Sequence, residues 1–458
     1  MFICSIIFTL KKSGNISSLK TRSEILLESD HNEEETYLEE VNLESLLIDF
    51  FQTNSQNDFC KKLDYLISIL SDDICLDCSK YMLEKTFNYL IEMINLNETN
   101  TGLLIRLLTL YNLFQRYFRY FSFFSFERQT FQFFYRYLKF NNYNIVEIVF
   151  NIFKEYLPLE PKKVFIFIED FCFLFLNDPN LIHSSLNFFL DLFHYPFVLD
   201  ENNYLKFLNS SFNIVDISDQ RITSCLSLIF YNILNNYSIF FYKYFNQQTI
   251  LLFNELLNHS NPMLLTLLDI ILIITSRKSE SIIIMKQYFD FQNLINLIFS
   301  PNETIVIQTL KCISNFLCNI PGIFDILNQI KFIDILNEII ITNTSYNIKY
   351  ECIICFIDFL NLDDIFSLIK IYDNENIFKL ITEMISNFND EILIIFLESL
   401  YKSLRIISTS NTDFKNVTQK LNATKFVESI HDLSLNNNKI DDIVSKIIGI
   451  TSQNSNLN

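Results

Sequence analysis

Four cysteines stand in two pairs with the spacing of a metal-binding motif. The pairs are Cys75-Leu-Asp-Cys78 and Cys352-Ile-Ile-Cys355. Two such pairs of thiolates are a common ligand set for a structural zinc ion. The pairs lie far apart in the chain, however, and the second one falls inside an apolar segment with helical periodicity. Packing of free thiols in the core therefore explains them better than zinc, and we predict no metal.

The residue types that most enzymes need are present, but not in catalytic arrangements. The five histidines show no HExxH or other metal-binding spacing, and no GxSxG, P-loop or GxGxxG motif occurs. With 4 glycines in the whole chain, a loop that cradles phosphate is difficult to build. We therefore predict that the chain is not an enzyme and binds no cofactor.

One segment, residues 114–140, interleaves aromatic side chains with arginine and lysine. In a nucleic-acid-binding protein this pattern would indicate a platform on which bases stack. In a helical chain it is also typical of rings buried between helices, which is the interpretation that we favour. Its positive charges are the best candidates in the sequence for contact with an acidic partner.

The elements around these residues follow a regular period. Apolar residues recur 40, 40, 42, 42, 43 and 44 positions apart, and each lies in a similar apolar segment. We call them the anchors: Val146, Leu186, Leu226, Leu268, Leu310, Ile353 and Leu397. Two further anchors, Leu63 and Leu104, continue the series toward the N-terminus. A period near 42 in a chain with few helix breakers predicts an all-α helical-repeat protein.

Composition divides the chain into four segments. Residues 1–23 form a basic N-terminal tail, and residues 24–42 form an acidic linker. The predicted repeats cover 43–450, and 451–458 form a polar tail that we expect to be disordered. The first apolar run lacks the charge order and cleavage site of a signal peptide, and no uncharged apolar stretch is long enough to span a membrane.

The formal net charge of −18 limits the kinds of partner. Nucleic acids and anionic membrane surfaces are bound through lysine and arginine, so we expect neither of them. A basic protein segment is favoured, because opposite potentials steer two molecules together. Solubility alone, without a basic partner, would also explain the excess of acidic residues.

The repeat layout resembles a known family. A helix, a short polar turn and a longer helix resemble the armadillo repeat, and HEAT repeats have a similar length. Within the armadillo group the chain resembles importin-α (karyopherin-α). Basic residues precede an acidic linker and about ten repeats, residues 46–73 resemble that family's first repeat, and residues 310–322 (LKCISNFLCNIPG) resemble its repeat signature. The resemblance implies a right-handed α-solenoid of about ten armadillo/HEAT-like repeats.

The resemblance also implies a peptide-binding groove. In that family a groove helix carries a Trp and, four residues later, an Asn that holds the backbone of a basic peptide. The matching positions here lie one and five residues after each anchor, and the chain contains no Trp. The candidate groove residues at these positions are Glu147, Asn151, Asn187, Asp191, Asp269, Lys311, Asn315, Asp358 and Glu398. They form either an acidic groove for a basic peptide or the ordinary exposed stripe of amphipathic helices.

The family's N-terminal basic helix binds importin-β, and the residues here that match it are Lys11, Lys12, Lys20 and Arg22. An ordinary disordered tail is the simpler interpretation of these four charges. Together these features predict a non-catalytic, monomeric, protein-binding solenoid. The resemblance implies a nuclear import cargo adaptor that binds basic peptide signals in the cytoplasm and nucleus. The alternative is an armadillo or HEAT scaffold subunit of a multiprotein complex, without nuclear-signal binding.

Overall fold

The structure, a computed structural model, is helical throughout the part of the chain that it describes. That part comprises residues 42–53, 55–71, 78–118, 121, 128–214, 219–257, 260–276, 280–320, 322–343, 345–362, 365–432 and 438–452. Within these ranges there are 25 α-helices and three 3-10 helices, and no β-strand. The predicted all-α fold class is therefore confirmed.

The described residues divide between two compact units. The N-terminal unit ends at Tyr244, and the C-terminal unit begins at Phe245. Each unit is built from helices that pack on their neighbours in sequence, as expected where a chain repeats one local motif.

The N-terminal unit contains eleven α-helices among its described residues. They are α1 (Leu43–Phe51), α2 (Gln56–Ser71), α3 (Lys80–Leu96), α4 (Thr101–Tyr117), α5 (Arg128–Tyr135), α6 (Tyr143–Glu155), α7 (Pro161–Leu176), α8 (Ile182–Leu192), α9 (Glu201–Ile214), α10 (Gln220–Asn236) and α11 (Ser238–Tyr244). A 3-10 helix, Arg136–Lys139, follows α5 directly.

The C-terminal unit contains fourteen α-helices in its described part. They are α12 (Gln247–Leu256), α13 (Leu264–Ser276), α14 (Glu280–Tyr288), α15 (Phe291–Asn296), α16 (Glu303–Asn319), α17 (Ile323–Gln329), α18 (Phe332–Thr342), α19 (Tyr346–Leu360), α20 (Ile365–Tyr372), α21 (Glu375–Met384), α22 (Asp390–Ile407), α23 (Asn411–Ala423), α24 (Phe426–Asp432) and α25 (Asn438–Ser452). The 3-10 helices Leu297–Phe299 and Ile385–Asn387 extend α15 and α21.

The anchors mark one set of helices in each unit, which we call the ladder helices; α25 has no anchor but packs on α22 and belongs to the same set. They are α2, α4, α6, α8 and α10 in the N-terminal unit, and α13, α16, α19, α22 and α25 in the C-terminal unit. Within each unit every ladder helix packs against the next one. All nine anchors are buried, with at most 3% of their surface exposed. The apolar period in the sequence therefore corresponds to a repeated core position between ladder helices.

Polar side chains start most of these helices. Asn142, Asp219, Asn302, Ser345 and Asn389 occupy the N-cap position of their ladder helices, and each accepts a hydrogen bond from a backbone N–H of the first turn. Such a bond satisfies an amide that has no partner within the helix. The short Asn- and Ser-rich turns thus define where the ladder helices begin.

The helices between successive ladder helices, which we call outer helices, differ between the units. In the N-terminal unit a single outer helix precedes α4, α8 and α10. In the C-terminal unit two outer helices precede each of α16, α19, α22 and α25. Both arrangements fit into nearly the same number of residues, and both are known for repeats of this length.

The described helical region has defined residues at both of its ends. The first described helix begins at Leu43, and α25 ends at Ser452, two residues beyond the predicted boundary at 450. Thr451 is buried, so the last turn is part of the packed structure. The basic tail, the acidic linker as far as residue 41, and residues 453–458 lie outside the described residues.

Candidate functional site

The predicted groove residues all lie on ladder helices, and most of them contact the ladder helix of a neighbouring repeat. In the N-terminal unit the hydroxyl of Ser184 on α8 donates to Glu147 on α6 at 3.1 Å. Lys154 on α6 forms an ion pair of 2.9 Å with Asp191 on α8. The thiol of Cys225 on α10 donates to Asn187 at 3.5 Å.

These three contacts leave much of the polar surface open to solvent. Glu147 and Asn187 are exposed, and 40% of the Asp191 side chain is accessible. Asn151, the remaining predicted groove residue of this unit, is half-buried. The N-terminal unit therefore presents accessible carboxylates and amides along successive ladder helices.

The same kind of contact recurs in the C-terminal unit. Gln308 on α16 donates to the carboxylate of Asp269 on α13. Lys311 on α16 lies 3.4 Å from the carboxylate of Glu351 on α19. On the last two ladder helices, Lys439 of α25 forms an ion pair of 3.0 Å with Glu398 of α22. Polar residues at the recurring position thus link each of these helices to its neighbour.

Asp358 differs from the other acidic residues of the set. It is 4% exposed and lies between α19 and α16, where it accepts hydrogen bonds from the Ser314 hydroxyl and, at 3.1 Å, from the Cys318 thiol. Burial raises its pKa to about 6, although these two hydrogen bonds oppose the shift. A buried carboxylate is not available to a ligand, so Asp358 contributes to the contact between helices and not to an open groove.

Asparagine side chains of the ladder helices bind main-chain carbonyls of the preceding ladder helix. Asn315 donates to Leu272 O and Thr275 Oγ1, both at 3.4 Å, and Asn319 donates to Thr275 O at 2.9 Å. Carbonyls in the last turn of a helix have no partner within that helix. Asn319 therefore satisfies the end of α13 at Thr275 O, and both amides hold α13 against α16.

An equivalent arrangement exists in the N-terminal unit, at residues that the sequence did not single out for this role. Asn232 donates to Leu190 O at 3.3 Å, and Asn236 donates to Phe193 O at 2.9 Å. In the sequence, these contacts are indicated by a polar residue that follows the end of the preceding ladder helix by about one repeat. In the family that the sequence resembles, the corresponding asparagine holds a peptide backbone, whereas Asn315 here bonds to its own chain.

In the described part of the aromatic and basic segment, several rings lie in the core, as favoured from the sequence. Phe131 and Phe134 are buried, and Arg136 lies over the Phe133 ring at 4.4 Å. Arg136 also pairs with Glu98, whose carboxylate accepts a hydrogen bond from Tyr137 at 2.8 Å. Because Arg136 is already paired with a carboxylate of its own chain, Arg136 is a poor candidate for contact with an acidic partner.

The second cysteine pair lies inside a ladder helix. Cys352 and Cys355 are buried in α19, and burial raises the pKa of the Cys352 thiol to about 12. Cys355 donates to Leu310 O at 3.2 Å. No group of three or more His, Cys, Asp or Glu side chains among the described residues is arranged to hold a metal ion. Cys75 lies outside the described residues, as do Lys11, Lys12, Lys20 and Arg22.

No α-helix in the described ranges combines the length and the apolar character needed to cross a bilayer.

Comparison with known proteins identifies a related fold but no family. No family model matches the chain, and no curated protein matches it. Among solved structures, the chain is similar to an engineered protein whose crystal structure was determined by the Northeast Structural Genomics Consortium. The TM-score is 0.58 at 10% sequence identity, over 90% of this chain and 98% of the engineered one.

Proposed function

We propose that this chain is a non-catalytic helical-repeat protein that binds a basic segment of a partner protein on its ladder helices. The architecture that we propose for it is a right-handed solenoid of about ten armadillo/HEAT-like repeats. An extended row of similar helices suits a ligand that is itself extended, because each repeat can contact a short stretch of it.

The observation that carries the proposal is the set of accessible carboxylates on the ladder helices. Glu147 is exposed, and the side chains of Asp191 and Glu398 are 40% and 53% accessible. Among the described residues, a lysine is the ion-pair partner of Asp191 and of Glu398, and solvent-exposed pairs of this kind contribute about 0.2–1 kcal/mol. A cationic ligand can therefore replace the intrachain partner at little cost.

The charge of the C-terminal unit adds a longer-range attraction. Its described residues include 21 acidic and 13 basic residues, a balance of −8, and the whole sequence has a formal net charge of −18. Such a field raises the rate at which a basic segment arrives, and salt screens it. We expect affinity to depend strongly on ionic strength.

A nuclear import adaptor is a narrower form of this proposal. The order of basic tail, acidic linker and repeats supports it, and so do the acidic positions on the ladder helices. The absence of Trp weighs against it, since the cationic stems would lack aromatic faces to lie on. The hydrogen bonds of Asn315 and Asn319 to helix carbonyls favour the second candidate, a scaffold subunit whose ladder residues mainly stabilise the repeat stack.

Fluorescence anisotropy with a labelled peptide of alternating arginine and serine tests the basic-segment proposal. We expect binding at low salt that weakens steeply as salt is added, and no binding of the matched glutamate–serine peptide. Asp191→Asn and Glu398→Gln should each weaken binding about two- to fivefold, the equivalent of one exposed ion pair. Absence of binding at low salt would refute the proposal. Capture of purified importin-β would then separate an import adaptor from a general scaffold.

A further inference from the structure

Three lysines of the ladder helices share one structural role. Each forms an ion pair with a carboxylate on a neighbouring ladder helix: Lys154 with Asp191 at 2.9 Å, Lys311 with Glu351 at 3.4 Å, and Lys439 with Glu398 at 3.0 Å. The pairs lie on α6 and α8, on α16 and α19, and on α22 and α25. Both units therefore contain carboxylates that a lysine of the same chain already occupies.

These pairs hold their carboxylates without burying them fully. The lysine side chains are 31%, 27% and 59% accessible, and their partners are 40%, 16% and 53% accessible. Asp358 shows the opposite case, because it is buried and bound to a hydroxyl and a thiol. A ligand can approach the three paired carboxylates, but not Asp358.

Whether a ligand gains binding free energy by displacing a resident lysine depends on the type of cation that it carries. The resident lysine is tethered close to its carboxylate, so its effective concentration is high. An incoming lysine offers the same compact ammonium and the same single contact. An incoming arginine offers a planar fork that binds a carboxylate through two parallel hydrogen bonds. Displacement of the resident lysine is therefore unfavourable for an incoming lysine, whereas the second hydrogen bond of an incoming arginine offsets this cost.

We propose that Lys154, Lys311 and Lys439 are intrachain competitors that make the ladder helices select an arginine-rich segment over a lysine-rich one. This inference rests on the proposed function, since it assumes that the ladder carboxylates bind a basic ligand. It adds the chemical class of that ligand and the residues that set the preference. Removal of a resident lysine leaves its carboxylate available to either cation, so the preference falls.

The experiment compares two labelled peptides, arginine alternating with serine and lysine alternating with serine, by anisotropy at one fixed low salt concentration. We expect the unmodified protein to bind the arginine peptide about five- to tenfold more tightly. Lys154→Met, Lys311→Met and Lys439→Met should each tighten binding of the lysine peptide about two- to fivefold and reduce the ratio between the peptides. Addition of Asp191→Asn to Lys154→Met should remove the gain.

Lys379→Met is the matched control. Lys379 lies on the outer helix α21 and pairs with Glu375 of the same helix at 3.8 Å, so the substitution makes the same charge change away from the ladder helices. If the three ladder variants behave like Lys379→Met while the unmodified protein binds both peptides equally, the competitor role is wrong and the proposed function stands. If neither peptide binds any variant, both proposals fail. Unchanged thermal unfolding of each variant shows that the fold is intact.

Discussion

The two units use nearly the same repeat period with different helices and different side chains. In the N-terminal unit one outer helix of 14 to 17 residues precedes α4, α8 and α10, while the C-terminal unit places two outer helices of 6 to 13 residues before each of its last four ladder helices. The described N-terminal residues include 27 Phe and 17 Ile, whereas the C-terminal ones include 16 Phe and 43 Ile. The period therefore determines the spacing of the ladder helices but not how the intervening chain folds.

Side-chain shape accompanies this difference. In the N-terminal unit rings contact rings across helices, as Phe189 does with Phe173 at 5.4 Å and with Phe207 at 4.8 Å between centroids. In the C-terminal unit the core consists mainly of branched aliphatic side chains such as Ile313 and Ile353, both fully buried. Large flat rings make edge and tilted contacts that branched chains cannot make, so the loss of one ring leaves a larger space.

Removal of one ring from the N-terminal core should have the largest effect. Phe189 is fully buried on α8, so Phe189→Ala should reduce the free energy of unfolding by about 3–5 kcal/mol, whereas Ile353→Val in the C-terminal unit should reduce it by about 0.5–1.5 kcal/mol. Urea unfolding, with hydrogen exchange read separately on each unit, measures both. Phe189→Leu keeps an apolar side chain and should lose less. A loss below about 1 kcal/mol for Phe189→Ala would contradict ring packing as the basis of this core.

The next largest effect concerns the buried carboxyl group of Asp358 in the C-terminal unit. The pKa of Asp358 is raised to about 6 in the folded chain, against about 3.9 in an unfolded one. Protonated Asp358 therefore makes its full contribution to the free energy of unfolding below about pH 4. This contribution is lost as the pH rises through 6. Asp358→Asn should stabilise the unit by about 1–3 kcal/mol at pH 7.5 and have little effect near pH 4.

Urea unfolding at the two pH values measures this difference, and Glu398→Gln, an exposed acid on α22, is the control. An equal effect of Asp358→Asn at both pH values would show that the carboxyl does not change its protonation on unfolding. A loss of stability at pH 7.5 would show that the hydrogen bonds from Ser314 and Cys318 outweigh the desolvation of the charge.

The smallest effects concern backbone strain, which occurs in both units. Lys331 and Lys425 in the C-terminal unit and Phe197 in the N-terminal unit have φ of 59°, 57° and 63°. Left-handed backbone is unfavourable for side chains with a Cβ atom, and most of all for a bulky one. Replacement of each by glycine should raise stability by about 0.5–1 kcal/mol, with the larger gain at Phe197. Thermal unfolding checks this, and the corresponding alanine variants should show no gain, because alanine keeps the Cβ atom.

Much of the fold was predictable because it depends on local and periodic features. Recurring apolar residues such as Leu226 and Leu310 had to be buried, since a helix with one apolar side must cover it. Polar residues such as Asn302 and Asn389 were recognisable as helix starts, because an N-cap acts on amides only two or three residues away. Neither inference requires knowledge of a distant contact.

The candidate site was predictable only in part. The recurring polar position was visible in the sequence, and the acidic choice at Asp191, Asp269 and Glu398 was visible with it. Whether such a residue faces solvent or a neighbouring helix depends on side chains roughly one repeat away, such as Lys154 for Asp191 and Gln308 for Asp269. Asp358 shows the limit most clearly, because its position in the period equals that of Asn315 but its side chain is buried.

The sequence by itself determined that this protein is helical, where some of the ladder helices begin and which residues form the repeated core. Those properties follow from periodicity and capping, which act within a few turns of the chain. Only the tertiary structure decided how many outer helices fill each interval, which asparagines satisfy the end of a neighbouring helix, and which acidic residues are paired, buried or accessible. These properties depend on contacts between residues 37 to 45 positions apart, and their geometry exists only after the helices have packed.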